Sequence, residues 1–197
     1  MPQGSHTITA ADIMDLAEFE IYRKEMRTAL LAKKKLRRIA VGPDAMFYFE
    51  SYDTMWMQIH EMLRIEKGGE EQLVDELAAY NPMIPKGAEL TATLMFEIDD
   101  ERRRASVLGA LGGVEETVFL KIGNEKIIAE AEQDVDRTNA DGKASSVQFL
   151  HFSFTAAQIE AFKDLATEVV LGIGHEAYPH MAAILAASRA ELAHDFD

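Results

Sequence analysis

Five polar residues in the first third of the chain have the types and spacing of a small acid–base or ligand-binding site: Arg38, Glu50, Thr54, Gln58 and Glu61. Thr54, Gln58 and Glu61 follow one another at intervals of four and three, so a helix brings them onto one stripe. Glu50 ends the apolar run before this helix and Arg38 lies on the run before that, so both can reach the stripe. Two carboxylates with an arginine and an amide can hold a small polar ligand or transfer a proton.

The same five residues also fit a purely structural arrangement. An ion pair between the arginine and a glutamate, a cap at the start of the helix and a solvated helix edge would use all of them. Because ion-pair networks of this kind are common beside functional ones, the sequence alone favours this structural interpretation over a binding site.

Histidine and glutamate side chains raise the question of a metal centre, whose ligands would come from Glu50, His60, Glu61, His151 and His175. His60 and Glu61 are adjacent on the same predicted helix, so their side chains point about 100° apart and do not converge on one ion unaided. That helix carries neither a His-x-x-x-His pair nor the Glu-x-x-His spacing of di-iron bundles. We therefore predict no metal and no cofactor, and we expect His151, on an apolar strand, to be a hydrogen-bonded core residue.

Helical spacing of apolar residues predicts the helices that surround these residues. A long helix is predicted from Leu16 to Leu36, where it ends in a run of basic residues that suits a helix C-terminus. Two more helices are predicted at Asp53–Glu66 and Glu70–Ala79. On the helix Asp53–Glu66, the predicted core face is Met55, Trp56, Ile59, Met62 and Leu63, and the predicted outer face is Asp53, Met57, His60 and Arg64.

Turn residues between short apolar runs predict the strands. Arg38–Val41 and Met46–Glu50 flank the turn Gly42-Pro43-Asp44, as in a hairpin. Glu89–Ile98 alternates apolar and polar residues, which is typical of a half-buried strand. In the rest of the chain we expect a hairpin of Thr117–Ile122 with Lys126–Glu132, strands at Val147–Phe154 and Glu168–Ile173, helices at Asp99–Leu111, Ala156–Asp164 and Pro179–His194, and a polar loop at Asp134–Ser146.

The order of these elements predicts the fold class. Short turns join the strands of the second half, which favours antiparallel pairing over parallel β-α-β winding. We therefore predict an α+β fold with a mostly antiparallel sheet, helices packed on one side and a long N-terminal helix. At 197 residues, the chain is expected to form a single domain over residues 1–197.

Composition limits the classes of partner and compartment. The formal charge of −14 repels phosphate backbones, so we expect no binding to nucleic acid. The chain has no cysteine, which excludes disulfides and thiolate chemistry and fits a reducing cytoplasm. We find no run of 18 apolar residues and no secretory signal at the N-terminus, so we expect a cytoplasmic protein that is not bound to a membrane.

An ordered set of short motifs resembles a bacterial family catalogued as domain of unknown function 3501. The motifs are Arg37-Arg38, Val41-Gly42, Phe47-Tyr48-Phe49-Glu50, the run from Gln58 to Arg64, Glu76-Leu77, Tyr80-Asn81-Pro82 and His175-Glu176-Ala177-Tyr178. The resemblance covers nearly the whole chain and supplies no catalytic residues. Members of this family are often encoded beside rubrerythrin-like and iron–sulfur oxidoreductase proteins, so the resemblance implies a role near peroxide or electron-transfer chemistry.

Two functions follow from these observations. The first is an accessory protein of a cytoplasmic redox system that contacts a rubrerythrin-like or iron–sulfur protein through the long first helix and the face of Met57, His60 and Arg64. The alternative is an enzyme or small-ligand-binding protein that uses a pocket between helix and sheet, with Arg38, Glu50, Gln58 and Glu61 as its polar residues. The absence of a recognisable catalytic motif favours the first function. A homo-oligomer is compatible with either.

Overall fold

The chain forms a five-stranded sheet and a four-stranded sheet, and three of its helices pack together on the outer face of the first sheet. The computed structural model describes residues 6–132, 138 and 142–197. Its helices are α1 (Leu16–Leu36), α2 (Tyr52–Glu66), α3 (Gly69–Tyr80), α4 (Glu101–Gly109), α5 (Ala156–Lys163) and α6 (Ala186–Leu192). Its strands are β1 (Arg38–Val41), β2 (Ala45–Phe49), β3 (Glu89–Phe96), β4 (Val118–Ile122), β5 (Glu125–Ile128), β6 (Glu130–Ala131), β7 (Val147–Ser153), β8 (Val169–Ile173) and β9 (His180–Ala183). No helix in the described ranges is long and apolar enough to cross a membrane.

Both sheets are antiparallel. The first has the strand order β1-β2-β3-β7-β6, and the second has the order β5-β4-β8-β9. The predicted α+β class, the antiparallel pairing and the long N-terminal helix are therefore confirmed, although the strands form two sheets where the sequence predicted one. Since β3 pairs with β2 and β7 and is covered on both faces, it is more deeply buried than the half-buried strand predicted from its alternation.

The main core lies between the two sheets. Phe47 and Phe49 of β2, together with Leu94 of β3, point from the first sheet toward Leu120 and Leu171 of the second, and all five are at most 1% exposed. Each such side chain stabilises the fold by about 1.5–3 kcal/mol through the apolar area that it removes from water. The alternate residues of the same strands point the other way, toward the helices.

A second apolar cluster joins the helices α1, α2 and α3 to that other face. Trp56, Ile59 and Leu63 of α2 pack there, with Phe19 and Leu30 of α1. Phe19 and Leu30 are the buried residues of α1, which otherwise lies on the surface. Helix α1 is therefore held by a narrow apolar strip, and α2 lies between it and the sheet.

The turn between β1 and β2 is fixed by a side chain from the C-terminal third of the chain. The hydroxyl of Tyr178 accepts hydrogen bonds from the backbone N–H groups of Asp44 (2.8 Å) and Ala45 (3.0 Å) and donates one to the carbonyl of Val41 (3.0 Å). Gly42 has a φ of +72°, and a Cβ atom at this position would lie 2.8 Å from the Tyr178 hydroxyl. The turn therefore requires glycine, both for its left-handed backbone and for the space that the tyrosine occupies.

Two elements predicted in the second half of the chain are not found as predicted in the described residues. The helix predicted at Pro179–His194 is wrong in its first part, because His180–Ala183 is strand β9 and pairs with β8; α6 begins only at Ala186. A short apolar run of this kind does not distinguish strand from helix by periodicity, and the open edge of β8 decides the outcome. Most of the loop predicted at Asp134–Ser146 lies outside the described residues.

Candidate functional site

A cavity of ≈ 820 Å³ lies between the helix-facing side of the first sheet and helices α2 and α3. Four of the five residues selected from the sequence line it: Arg38, Glu50, Thr54 and Gln58. Apolar and aromatic residues make up most of the remaining wall, namely Phe49, Met55, Ala78, Ala79, Pro82, Met83, Met95, Val147 and Phe149. Polar or charged wall residues are Lys34, Arg37, Tyr48, Tyr80, Thr93 and Glu132.

Glu50 is the most enclosed acidic group of this wall. It links β2 to α2 and is only 9% exposed. Its Oε1 accepts a hydrogen bond from the Thr93 hydroxyl (2.8 Å), and its Oε2 accepts one from the Thr54 hydroxyl (2.7 Å). Because Glu50 directly precedes Ser51, the N-cap of α2, its negative charge also lies at the favourable end of the helix dipole.

Arg38 does not form the ion pair with Glu50 that the structural interpretation required. Its guanidinium lies over the ring of Tyr48, 4.8 Å from the ring centre, and donates to the Tyr48 hydroxyl at 3.1 Å. That hydroxyl donates in turn to Glu97. Burial, followed by this bond to Glu97, raises the pKa of Tyr48. Arg38 therefore lies on the exposed side of the cavity wall, with Lys34 of α1.

Gln58 and Tyr80 connect the two helical walls. The side-chain amide of Gln58 donates a long hydrogen bond of 3.4 Å to the hydroxyl of Tyr80. Since α2 carries Gln58 and α3 carries Tyr80, this contact crosses the helix pair at the cavity surface. A bond of this length is weak, so either group can exchange its partner for a bound molecule.

Glu61 lies apart from the other four residues. Its carboxylate receives three hydrogen bonds of 2.9–3.1 Å from the guanidinium of Arg23 in α1, and Arg27 approaches within 4.0 Å. Seven residues separate Glu61 from Thr54, which amounts to about 10 Å along the helix axis. Thr54 and Gln58 of the predicted stripe therefore line the cavity, but Glu61 lies beyond it. Glu61 instead joins α1 to α2 through Arg23.

The predicted outer face of α2 is not a surface. Met57 is 6% exposed and His60 is fully buried, because α1 and the segment before it cover them. The Nε2 of His60 accepts a hydrogen bond from the backbone N–H of Met14 (2.9 Å), and its Nδ1 donates to the carbonyl of Trp56 (2.8 Å). This burial lowers the pKa of His60. Arg64, the third member of the predicted partner-binding face, is bound to Glu20 of α1.

The metal-ligand candidates are dispersed. Both ring nitrogens of His60 are used in the helical core, and those of His151 lie near Glu89 (3.2 Å) and Glu132 (2.8 Å). His175 is at the surface, near the carbonyl of Gly112. In the part of the chain that the structure describes, no three His, Asp or Glu side chains group as a metal ion would need. His151 is hydrogen-bonded, as expected, but it is only partly buried and not a core residue, and its partners are two carboxylates.

Arg37 is the residue that sequence reasoning missed. It is 2% exposed, and its guanidinium donates to the backbone carbonyls of Phe49 (3.0 Å) and Glu50 (2.6 Å). It also contacts the carboxylates of Glu191 (3.4 Å) and Asp195 from the C-terminal end of the chain. Arg37 thus fixes the backbone of Glu50 and thereby the position of its carboxylate. The family motif Arg37-Arg38 contained the signal, but only strand register tells which arginine points inward.

Comparisons with known proteins agree with the sequence-based family assignment. The family model described as "Protein of unknown function (DUF3501)" matches residues 7–196. The chain is also similar to a protein of unknown function from Burkholderia pseudomallei K96243, whose crystal structure was determined at 1.90 Å resolution. The two share 34% sequence identity with a TM-score of 0.88, and the match covers 97% of this chain and 100% of that chain. No curated protein matches this chain.

Proposed function

This chain belongs to the family described as "Protein of unknown function (DUF3501)", and within that family we propose that it is a binding protein for a small organic molecule. The observation that carries the proposal is the Glu50 carboxylate, which is enclosed in the wall of the ≈ 820 Å³ cavity and held there by two threonine hydroxyls. Burying a carboxylate in a largely apolar wall costs free energy. We infer that this carboxylate orients a bound molecule.

The shape and lining of the cavity support the same function. Sites for small molecules commonly have volumes of roughly 300–1,000 Å³ and combine apolar walls with a few polar groups. Here Phe149 and Met95 of the sheet face Met55 of α2 across the cavity, while Glu50 and Gln58 supply polar atoms. A molecule with an apolar body and at least one polar group suits this lining.

A blocking substitution tests the proposal without disturbing the core. Ala79 lines the cavity from the exposed side of α3, whereas Val74 on the same helix is 66% exposed and does not line it. We expect Ala79→Trp to obstruct the cavity and Val74→Trp to leave it open. The wild type and both variants would be purified from the native host and denatured, and the released small molecules would be measured by mass spectrometry.

The expected result is a compound that accompanies the wild type and Val74→Trp and is lost from Ala79→Trp. Circular dichroism melts of the three proteins serve as a folding control. Identical compound profiles for the three folded proteins would overturn the proposed function.

A second candidate function is the accessory role in a cytoplasmic redox system, with a rubrerythrin-like or iron–sulfur protein as partner. The exposed surface of α1 favours it, since Ile21 and Leu31 are 74% and 64% exposed. The partner would contact α1 itself, because Met57 and His60 are covered. Charge reversal at Lys34 should then abolish recovery of that partner in a low-salt pull-down while leaving the fold intact. Unchanged recovery would exclude this surface.

A further inference from the structure

The hydrogen-bonding state of Glu50 indicates which chemical group a bound molecule presents to it. An ionised carboxylate offers about four acceptor positions, and two of them receive the hydroxyls of Thr54 and Thr93. Each hydroxyl has a single proton, and that of Thr54 also lies within 3.0 Å of the Ser51 carbonyl, although the Glu50 carboxylate is nearer at 2.7 Å. The remaining acceptor positions of Glu50 suit a donor that enters from the cavity.

No cationic side chain in the described ranges forms an ion pair with Glu50, although several lie nearby. The guanidinium of Arg37 donates to the backbone carbonyl of Glu50 and pairs with the carboxylates of Asp195 and Glu191. Arg38 is held over Tyr48. The negative charge of Glu50 is therefore stabilised by two hydroxyls and the N-terminus of α2, while the position of a counter-cation is open to a ligand.

The wall around Glu50 suits an apolar group attached to that donor. Phe149 and Met95 lie on the sheet side, and Met55 and Met83 lie on the helix side. Methionine side chains adapt their shape to irregular apolar partners and make favourable contacts with aromatic rings. An aromatic or aliphatic body of moderate size can thus lie against this wall while its polar end reaches Glu50.

We propose that the cavity recognises an organic amine, with its protonated nitrogen on the Glu50 carboxylate and its apolar body against the methionine and phenylalanine wall. This inference rests on the proposed small-molecule function and narrows it to a chemical class. A charged N–H donor to a carboxylate forms a short, strong hydrogen bond.

Matched pairs of an amine and its neutral alcohol test the proposal. Three amines with different bodies, which are tryptamine, 2-phenylethylamine and octylamine, would be compared with tryptophol, 2-phenylethanol and octan-1-ol. Binding to the full chain would be measured by isothermal titration calorimetry at pH 7, where the amines are protonated. For the body that fits, we expect the amine to bind about 10- to 100-fold more tightly than its alcohol, the range of a hydrogen bond to a charged group.

Glu50→Gln is the decisive variant and Glu61→Gln is its matched control. Glu50→Gln should abolish the preference for the amine while retaining the alcohol, and the retained alcohol shows that the cavity is intact. Glu61→Gln changes a carboxylate of α2 that faces Arg23 and does not line the cavity, so it should keep the wild-type preference. The inference is overturned if no amine binds the wild type better than its alcohol, or if Glu50→Gln keeps that preference. The proposed function fails separately, when Ala79→Trp releases the same compounds as the wild type.

Discussion

At the scale of single residues, two histidines have opposite electrostatic environments. Burial lowers the pKa of His60, which is neutral when it accepts from Met14 and donates to Trp56. Hydrogen bonds to Glu89, and then to Glu132, raise the pKa of His151. An unperturbed histidine titrates near pH 6.5, so the two residues shift in opposite directions from the same starting value.

These shifts have opposite consequences for stability. Because folding weakens proton binding at His60, its contribution is present above about pH 6.5 and is lost as the pH falls toward its folded pKa. Because folding strengthens proton binding at His151, its contribution is present below about pH 6.5 and is lost as the pH rises through its folded pKa.

The rings of His60 and His151 should titrate in a defined order. In the folded protein we expect the ring of His151 to titrate above pH 6.5 and that of His60 below it. Proton–nitrogen NMR of the imidazole rings across pH 4.5–9 measures both, with His60→Gln and His151→Gln to assign the signals. The reverse order would contradict the hydrogen bonds described here.

Arg37 provides a prediction about stability. Arg37→Ala would leave Asp195 and Glu191 without their guanidinium partner and expose the carbonyls of Phe49 and Glu50. Removing one member of a buried charged group costs about 3–5 kcal/mol. Urea unfolding should show this loss, whereas Arg38→Ala, at an exposed cation–π contact, should cost about 1 kcal/mol or less. Equal losses for the two variants would refute the assigned roles.

At the scale of secondary-structure elements, Tyr178 determines the shape of the β1–β2 hairpin. Tyr178→Phe removes the hydroxyl that bonds three backbone groups of the turn, which leaves buried N–H groups unsatisfied. We expect the free energy of unfolding to fall by about 1–3 kcal/mol. The matched variant Tyr22→Phe, at a half-exposed position on α1, should change it by about 0.5 kcal/mol or less. If Tyr178→Phe left the free energy of unfolding unchanged, the turn would not depend on the Tyr178 hydroxyl.

The elements also show which features the sequence can predict. The bounds of α1 match the prediction at both ends, since its apolar spacing and basic C-terminal turn are local signals. The edge strand β9 was predicted as helix, because its conformation depends on pairing with β8. Met57 and His60 were assigned to an outer face because periodicity gives the direction of a side chain but does not show that α1 packs over it.

The candidate site shows the same limit. Arg38, Glu50, Thr54 and Gln58 all line one cavity. Glu50, Thr54 and Gln58 do so because a strand end and the first turns of the next helix are close in sequence, and Arg38 joins them because β1 pairs with β2. Glu61 was included only by its stripe on the helix, and its pairing with α1 is a tertiary contact that spacing does not reveal. Arg37 was passed over because its partners come from the other end of the chain.

At the scale of the whole molecule, the two faces of the first sheet have different surroundings. One face packs against the second sheet and forms the main core, while the other face supplies the floor of the cavity under α2 and α3. A bound molecule would therefore contact the helical layer without disturbing the core between the sheets. Ligand binding should stabilise the packing of α2 and α3 against the first sheet, since a ligand that binds only the folded state raises its stability.

Native mass spectrometry of the protein isolated from its host shows whether a small molecule occupies the cavity between the first sheet and helices α2 and α3. We expect an intact mass that exceeds the chain mass by one small molecule per chain, with this adduct retained by Val74→Trp and lost in Ala79→Trp. A wild-type protein that is found only at the bare chain mass, or an adduct that persists in folded Ala79→Trp, would contradict the assignment of this cavity as a binding site.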